Sequence, residues 1–143
     1  HTLFASIDQG FCIVEVVLDE AGAPVDYRIL EANPAFEEHT GLRNAAGRLV
    51  RGDLVPNIEP FWVETYGRVA LTGEPARFEH RAEGLDGGWF EVYAFRFGRP
   101  ELRQVAIFFK NVKQRKHAEE ALRESERRLQ QQVTEFETLL SVL

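Results

Sequence analysis

The sequence predicts an α+β domain in which two strands, several short helices and three further strands precede a long C-terminal helix. Three observations lead to this prediction. Apolar and polar residues alternate along several segments, most regularly over residues 76–83, as in strands with one covered face. Clusters of Gly, Pro, Asp and Asn separate these segments. After residue 110 the two-residue period is replaced by a heptad pattern, which is typical of a helix.

The first two strands are predicted over residues 11–18 and 25–32. Both segments are rich in apolar and β-branched residues, and the Asp, Gly and Pro residues of 19–24 are typical of a turn. The two strands should therefore pair as a hairpin. Residues 2–8 have the character of a short helix that leads into the first strand.

Helical segments are predicted between the second and third strands. Asn33 suits an N-cap, Pro34 the first helical position, and Gly41 the left-handed site that follows a helix. Residues 42–58 contain glycines and prolines without a clear period and should form turns and loop. A longer helix is predicted over residues 60–71.

Three strands are predicted in the second half of the domain, over residues 76–83, 89–97 and 102–110. The sequence Asp86-Gly87-Gly88 is typical of a hairpin turn between the first two of them. The last strand runs directly into the heptad pattern. The chain therefore divides into a lead-in helix at residues 1–9, a domain core at 10–110 and a C-terminal linker helix at 111–143.

The linker helix is predicted to begin at Asn111. The side-chain oxygen of an Asn can accept a hydrogen bond from the first helical turn, and Gln114 follows three residues later, as in a capping box. Because the last strand continues covalently into this helix, we expect Asn111, Gln114 and Arg115 to form a junction through which a signal leaves the sheet.

Apolar residues recur along the linker helix at alternating spacings of four and three, which is a heptad seam. The seam positions are Ala118, Leu122, Ser125, Leu129, Gln132, Phe136, Leu139 and Leu143. A seam of this kind requires a partner helix, so we expect a parallel homodimer that includes the lead-in helix and residues 118–143. Ser125 and Gln132 are polar and should leave the coiled coil easily shifted, as a switch requires.

Composition limits the classes of function. With 143 residues, of which 44% are hydrophobic and 28% charged, the chain is predicted to be one globular domain. A net charge of -6 argues against nucleic-acid binding. There is no apolar run of the roughly 20 residues that a membrane span needs, and no secretory signal. The single Cys12 excludes an internal disulfide and a CxxC metal motif, and a cytoplasmic location is the simplest expectation.

Three short motifs, in this order, resemble those of PAS sensor domains. Asn33-Pro34-Ala35-Phe36 with Thr40-Gly41-Leu42 is similar to the family's N-P-A-F…T-G-Y helix. Trp89-Phe90-Glu91-Val92 opens the fourth strand. Asn111-Val112-Lys113-Gln114-Arg115-Lys116 is similar to the D-I-T-E-R-K segment at a PAS exit, with Asn111 in place of the usual Asp. The resemblance covers roughly residues 4–116.

The resemblance implies a five-stranded antiparallel sheet of order 2-1-5-4-3, cupped by helices around a small interior space. In the family that space holds haem, flavin, another chromophore or a metabolite, or is filled by side chains. The exit helix commonly leads to a histidine kinase, a diguanylate cyclase or a further PAS domain. We therefore expect a sensor domain of a bacterial multidomain signalling protein.

The candidate ligand-binding residues are those expected on the inner face of the sheet. Alternation places Phe78 and His80 there, and His80 is at a position similar to a flavin-contacting Asn of LOV domains. Glu31 is expected on the same face as Tyr27 and Ile29. The complete set is His80, Phe78, Glu31, Phe36, Phe90, Val92, Ile107 and Phe109. The alternative is that His80 is hydrogen-bonded structural packing and that Glu31 reaches solvent.

Two cofactors are excluded by the resemblance and the positions of Cys and His. A LOV domain needs its cysteine in the central helical region, whereas Cys12 lies on the first predicted strand. Haem-binding PAS domains generally use a histidine of the long helix, and residues 57–72 contain none. We expect no haem and no LOV-type flavin, and either no ligand or an unknown, non-chromophoric metabolite. His39 is interpreted as a partner of its helix dipole.

The outer face of the fourth strand is predicted to be aromatic, with Trp89, Tyr93 and Phe95 beside Glu91. Exposed aromatic residues require cover, either from the lead-in helix or from a second subunit. The candidate dimer contacts are Leu122, Leu129, Gln132, Phe136, Leu139, Trp89 and Tyr93.

No recognisable catalytic set of residues is found, so we expect a regulatory domain rather than an enzyme. The first hypothesis is a sensory and dimerising input module of a histidine kinase or diguanylate cyclase. The alternative is an isomerase- or dehydratase-like enzyme on a cupped sheet that uses His80 with Glu31. A third hypothesis is a PAS domain with a filled core that only mediates association. The heptad helix favours the sensor over the enzyme.

Overall fold

The computed structural model describes residues 8–143. The predicted lead-in helix falls almost entirely on residues 1–7 and lies outside the described residues. The strands are β1 Gly10–Leu18, β2 Pro24–Ala32, β3 Ala76–Ala82, β4 Gly88–Phe97 and β5 Gln104–Asn111. The α-helices are α1 Pro34–Thr40, α2 Pro60–Thr72 and α3 Lys113–Ser141, with a π-helical turn at Val50–Leu54 and two 3₁₀ turns.

The five strands form one antiparallel sheet in the order β2-β1-β5-β4-β3, as the resemblance predicts. The first and last strands of the chain are therefore neighbours at the centre of the sheet. The segment between β2 and β3 connects its two edges, and α1 and α2 from this segment contact the same sheet. The core lies under these helices. The largest of its fully buried side chains are Val14, Val16, Ile29, Val69 and Val105.

Helix α1 begins and ends as the sequence predicts. The Asn33 side-chain oxygen accepts from the backbone N–H of Phe36 at 3.0 Å, which caps the first turn. Pro34 occupies the start of the helix, and Gly41 follows its end with φ 76°, in the left-handed region. The structure therefore confirms both predicted boundaries of α1 to within one residue.

A glycine allows α2 to approach the sheet closely. A Cβ atom at Gly67 would clash with the ring of Pro24, the first residue of β2. The helix therefore packs against the sheet at a distance that only glycine permits.

The π-helical turn after α1 is fixed by a buried carboxylate. The Asp26 side chain accepts from the backbone N–H of Arg51 at 2.7 Å and of Gly52 at 2.9 Å. It also accepts from the N–H of Tyr27 at 2.7 Å. A polar side chain that is only 8% exposed is thereby satisfied within the protein.

A β-bulge in β2 changes the predicted orientation of Glu31. Ile13 pairs with Glu31 but the next residue, Val14, pairs with Ile29, so one extra residue is inserted in β2. The alternation shifts at this point, and Glu31 is exposed while Ile29 is buried. The prediction that both side chains share the inner face is wrong, because an unbroken two-residue period does not anticipate the insertion.

The predicted N-cap of the long helix is also wrong. Asn111 is the last residue of β5, and Val112, which makes no side-chain cap hydrogen bond, occupies the N-cap position of α3. The Asn111 side-chain nitrogen instead donates to the backbone oxygen of His39 at 3.3 Å. A nearby acceptor in α1 therefore orients this side chain.

The chain forms two compact units that meet between Asn111 and Val112. The second unit is α3, a helix of 29 residues that is roughly 44 Å long at 1.5 Å per residue. Helix α3 itself contains no buried side chain, whereas Val112, the first residue of the second unit, is only 6% exposed. Within residues 8–143, no helix is both long enough and apolar enough to cross a membrane.

Candidate functional site

An apolar cavity of about 60 Å³ lies between the inner face of the sheet and the segment that connects its edges. Five of the predicted ligand-binding residues line it: Phe36, Phe90, Val92, Ile107 and Phe109. The cavity wall thus includes α1 and strands β4 and β5. It also includes residues that the sequence analysis did not select, among them Cys12, Tyr27, Trp62 and Tyr66.

His80 and Phe78 do not line this cavity. Both are half-buried on β3, in the alternation that the sequence predicts. The His80 ring stacks on Phe61 of α2 with 3.8 Å between centroids, and its Nδ1 lies 2.7 Å from the backbone oxygen of Arg81. The alternative interpretation of His80, as hydrogen-bonded structural packing, describes this arrangement.

Glu31 and His80 are far apart in the sheet. Glu31 belongs to β2 and His80 to β3, which are the two opposite edge strands. Glu31 is also exposed on the outer face, because of the bulge. The structure therefore does not bring together the pair that the enzyme hypothesis requires.

The polar groups of the cavity wall are kept neutral by burial. Burial raises the pKa of the Cys12 thiol and of the Tyr66 hydroxyl above their ordinary values. For Tyr27, burial raises the pKa first, and the nearby Cys12 and Asp26 raise it further. The two tyrosine rings meet edge to face, with 5.2 Å between centroids. The cavity can therefore offer uncharged donors and acceptors, but no ionised group from these side chains.

Trp62 of α2 is only 5% exposed and lines the cavity. Among the described residues, its indole Nε1 is the single buried side-chain nitrogen or oxygen without a hydrogen-bond partner. Buried donors are nearly always paired with protein or water. The indole ring is instead enclosed by aromatic rings, among them His80 at 5.5 Å and Phe90 at 6.4 Å, both edge to face.

Phe109 connects the cavity to the end of β5. Its ring meets Phe36 at 5.6 Å and Phe90 at 5.9 Å, both edge to face. On another side it meets the ring of His39 at 6.3 Å. Displacement of Phe109 by a ligand would therefore act directly on His39.

His39 joins three segments that are distant in the sequence. Its Nδ1 accepts from the backbone N–H of Asn111 at 3.1 Å, so Nε2 carries the proton and donates to the backbone oxygen of Asp8 at 2.9 Å. The residue thus bridges the start of β1 and the end of β5. The interpretation of His39 as a dipole partner missed this role, because Asn111 lies 72 positions away and no local pattern reveals it.

The outer face of the sheet is aromatic, as predicted. Trp89, Tyr93 and Phe95 alternate with the buried residues of β4. Phe95 stacks on Phe108 with 6.3 Å between centroids, and the Arg77 guanidinium lies 4.4 Å from the centre of the Tyr93 ring. These rings partly cover one another.

The predicted seam residues of α3 are exposed. Leu122, Leu129, Phe136 and Leu139 are each between 61% and 64% exposed, and Gln132 is exposed among them. Of the junction residues, Gln114 and Arg115 lie in the first turn of this helix, and Arg115 pairs with Glu119 at 3.4 Å.

Several solved structures share this fold at low sequence identity. An RNA-binding light-oxygen-voltage receptor matches with a TM-score of 0.60 and 19% identity, over 90% of this chain and 37% of the receptor chain. The LOV domain of a blue-light-activated histidine kinase from Erythrobacter litoralis EL346 matches with a TM-score of 0.53 and 17% identity, over 75% and 98% of the two chains. A PAS domain of an HTR-like protein from Haloarcula marismortui has a TM-score of 0.50 and 23% identity, over 77% and 86%.

The present chain spans 37% of the length of the light-oxygen-voltage receptor, so the two share one domain and not a whole architecture. Among curated proteins, no sequence matches the chain.

These similarities correct the cofactor prediction. LOV proteins share the fold, and a further match, with a TM-score of 0.52 and 21% identity, is a LOV domain described with a flavin analogue. The exclusion of a LOV-type flavin is therefore wrong, and so is the restriction to non-chromophoric ligands. The position of Cys12 bears only on a covalent bond between thiol and flavin, whereas non-covalent binding needs a suitable cavity and hydrogen-bond partners.

A match to a sequence model of a protein family shows the family of this chain. A model of the PAS domain matches residues 1–75, which is more than half of the 143 residues. That segment contains the Asn33-Pro34-Ala35-Phe36 helix start and all of the cavity-lining residues that the connecting segment contributes. The sheet order and the matched segment agree, and the chain belongs to the PAS domain family.

Proposed function

We propose that this chain is a sensory and dimerising input module of a larger bacterial, cytoplasmic signalling protein. In this proposal the cavity binds a small ligand, and occupancy of the cavity changes the arrangement of α3, which passes the signal to an output domain. One observation carries the proposal. Strand β5 lines the cavity through Ile107 and Phe109 and then continues within a few residues into α3.

The proposed dimer is parallel and uses the heptad seam of α3. Exposed leucines and a phenylalanine at heptad spacing favour a second helix, because a monomer would leave this apolar stripe in water. The outer sheet face, with Trp89 and Tyr93, is proposed as a second contact. Ser125 and Gln132 weaken the seam at two positions and so allow two arrangements of similar free energy.

The proposed output is a histidine kinase, with a diguanylate cyclase or a second PAS domain as alternatives. A LOV domain of similar fold belongs to a histidine kinase, which supports the first choice. A catalytic role for this chain has less support, because Glu31 and His80 occupy opposite edges of the sheet.

A substitution in the seam tests the proposal. Gln132→Leu places an apolar residue at a seam position and should strengthen the dimer, so the output of the full-length parent should stay in one state regardless of signal. Gln131→Leu makes the same chemical change one residue outside the seam and serves as the matched control. Unchanged signal dependence in the Gln132→Leu protein would contradict the proposed switch.

The presence of a ligand is tested separately. The native mass and absorbance spectrum of the protein, purified without any step that strips cofactors, should show a small molecule bound in stoichiometric amount. A flavin would be recognised at once by its visible absorbance. A mass equal to that of the bare chain would contradict ligand binding but leave the dimerisation proposal standing.

A further inference from the structure

The imidazole of His39 lies between the ends of two neighbouring strands. Strands β1 and β5 pair antiparallel, with Gly10 opposite Phe109. Two residues further along this register, Asp8 is opposite Asn111. The His39 ring stands between these two residues: the backbone N–H of Asn111 donates to Nδ1 at 3.1 Å, and Nε2 donates to the backbone oxygen of Asp8 at 2.9 Å.

The ring takes the place of one hydrogen bond in the ladder between β1 and β5. In an antiparallel pair, successive residues direct their N–H and C=O groups alternately to the two sides. Phe11 directs both groups away from β5, since its N–H donates to the Asn33 side chain and its C=O accepts from the Asn33 N–H. In the same alternation the C=O of Asp8 faces the side of β5, where an uninterrupted ladder would join it to the Asn111 N–H. The chain bends at residues 8–9, and the imidazole joins the two strand ends there.

This arrangement depends on the protonation state of the ring. The Asn111 N–H can only donate and the Asp8 oxygen can only accept, so Nδ1 is unprotonated and Nε2 carries the proton. A protonated imidazole has a donor at both nitrogens and no acceptor. Its Nδ1–H would face the N–H of Asn111, and that hydrogen bond would be lost. Histidine side chains change charge between about pH 5 and 8.

We propose that His39 is a pH-sensitive switch. Its neutral ring holds the end of β5 to the start of β1, and its protonation in mildly acidic solution breaks the hydrogen bond to Asn111 and loosens the end of β5. Asn111 is the last residue of β5 and Val112 is the first residue of the second unit, so the switch acts where the chain leaves the sheet. The switch depends on neither ligand nor dimer, whereas an effect on the output of a parent protein rests on the proposed function.

The surroundings of the His39 ring allow it to take up a proton. The side chain is half-buried and reaches solvent, and α1 packs against β1 and β5. The charged side chains on these segments near the ring are those of Asp8, Glu37, Glu38 and Lys110. Glu37 pairs with Arg43 at 3.0 Å, and Lys110 lies 4.0 Å from Glu91. Within residues 8–143 no carboxylate forms an ion pair with His39, so no such partner fixes the charge of the ring.

Two further contacts make the switch reversible. The Asn111 side-chain nitrogen donates to the backbone oxygen of His39 at 3.3 Å, and this hydrogen bond does not involve the imidazole. The Phe109 ring lies beside the His39 ring, with 6.3 Å between centroids. Neither contact requires a neutral ring. They keep the end of β5 beside α1 after protonation, so the imidazole can rebind when the pH rises.

The test is hydrogen exchange of the Asn111 amide, measured by NMR on the ¹⁵N-labelled chain at pH 7.5 and pH 5.5. Protection factors are compared, because they are corrected for the effect of pH on exchange in an unstructured chain. The Asn111 protection factor of the wild type should fall about tenfold at the lower pH, which corresponds to the loss of one hydrogen bond. The amide of Ile107, in the middle of β5, should keep its protection.

The variant His39→Gln separates the charge of the ring from its hydrogen bonds. A glutamine amide has an acceptor and a donor on one planar group, as the neutral imidazole has, but it does not titrate. In this variant the protection of Asn111 should be the same at both pH values. His117→Gln, at an exposed position of α3, is the matched control and should keep the pH dependence of the wild type.

Three results would overturn the switch. Equal protection of Asn111 at the two pH values in the wild type would show that the hydrogen bond is independent of the ring's charge. The same tenfold fall in His39→Gln would assign the pH dependence to another group. If Asn111 is poorly protected at both pH values in His39→Gln, a wild-type titration decides: the Asn111 amide shift and the ¹⁵N signals of the His39 ring must share one midpoint, and different midpoints refute the switch. Each of these results leaves the proposed function standing.

Discussion

The buried side chain of Asn33 connects the start of α1 with β1 and the residue before it. Its oxygen accepts from the N–H of Phe36, as the N-cap of α1, and from the N–H of Phe11 in β1 at 2.9 Å. Its nitrogen donates to the backbone oxygen of Gln9 at 3.0 Å. The local sequence predicted the cap, but the contacts with β1 depend on tertiary structure and were not predictable from it.

Replacement of Asn33 by Ala should therefore lower the free energy of unfolding by more than the loss of an ordinary N-cap does. Loss of the cap costs about 1 kcal/mol, and an unpaired amide of Phe11 adds about 1 kcal/mol or more. We expect the free energy of unfolding to fall by about 2–3 kcal/mol in a urea titration. Asn57→Ala, at an exposed position, is the control and should change it little. Equal effects of the two substitutions would contradict this account.

The buried neutral side chains predict a pH dependence. Burial raises the pKa of Cys12, Tyr27 and Tyr66, whereas in the unfolded chain a thiol ionises near pH 8.5 and a phenol near pH 10, roughly. Above these values the unfolded chain releases protons that the folded protein retains, so the contribution to stability is complete below about pH 8.5 and decreases as pH rises.

Urea midpoints at pH 7.5 and pH 10.5 measure this effect. The wild-type midpoint should be lower at the higher pH, and Tyr66→Phe, which removes one ionisable hydroxyl and keeps the ring, should show a smaller difference. Equal midpoints for the wild type at the two pH values would refute the prediction.

At the scale of elements, periodicity predicted the strands and helices well because their patterns are local. The bulge in β2 is the instructive exception. Alternation along residues 25–32 places Glu31 with Ile29, but the extra residue between the Ile13 and Val14 pairs reverses the orientation. Cys12 is two residues from Val14 on β1, so strand alternation places both side chains on the inner face of the sheet. This part of the cavity wall was therefore predictable from the sequence. The position of Trp62 in the cavity wall was not predictable from the sequence.

The contact of α1 with β5 gives a prediction at this scale. His39→Phe keeps an aromatic ring beside Phe109 but removes the acceptor of the Asn111 amide and the donor to Asp8. The Asn111 amide should then lose protection from hydrogen exchange, and stability should fall by about 1–2 kcal/mol. His117→Phe, at an exposed position of α3, is the matched control. Retained protection at Asn111 would show that His39 does not hold the end of β5.

At the scale of the whole molecule, the resemblance to PAS domains supplied what residue patterns could not, namely the order β2-β1-β5-β4-β3. Pairing of the first and last strands is a long-range contact that no short motif encodes. The consequence for signalling is that β5 is central in the sheet, lines the cavity, and precedes α3 directly. For the quaternary structure, the heptad seam of α3 is the main indication that the chain gives.

The parallel dimer is the last prediction, and a cysteine placed in the seam tests it. In a parallel coiled coil the two copies of residue 125 face each other, whereas in an antiparallel pair over residues 118–143 residue 125 would lie opposite a residue near 136. Ser125→Cys should therefore form a disulfide-linked dimer under mild oxidation. The native Cys12 is buried and should not interfere.

Gln131→Cys, outside the seam, is the control and should cross-link much less. Sedimentation equilibrium of the wild-type chain at tens of micromolar should give the mass of a dimer, twice 16.4 kDa. A monomer in that experiment would refute the dimer itself. A dimer in which Ser125→Cys fails to cross-link would refute the parallel orientation, and with it the proposal that both copies of β5 act on the same end of the coiled coil.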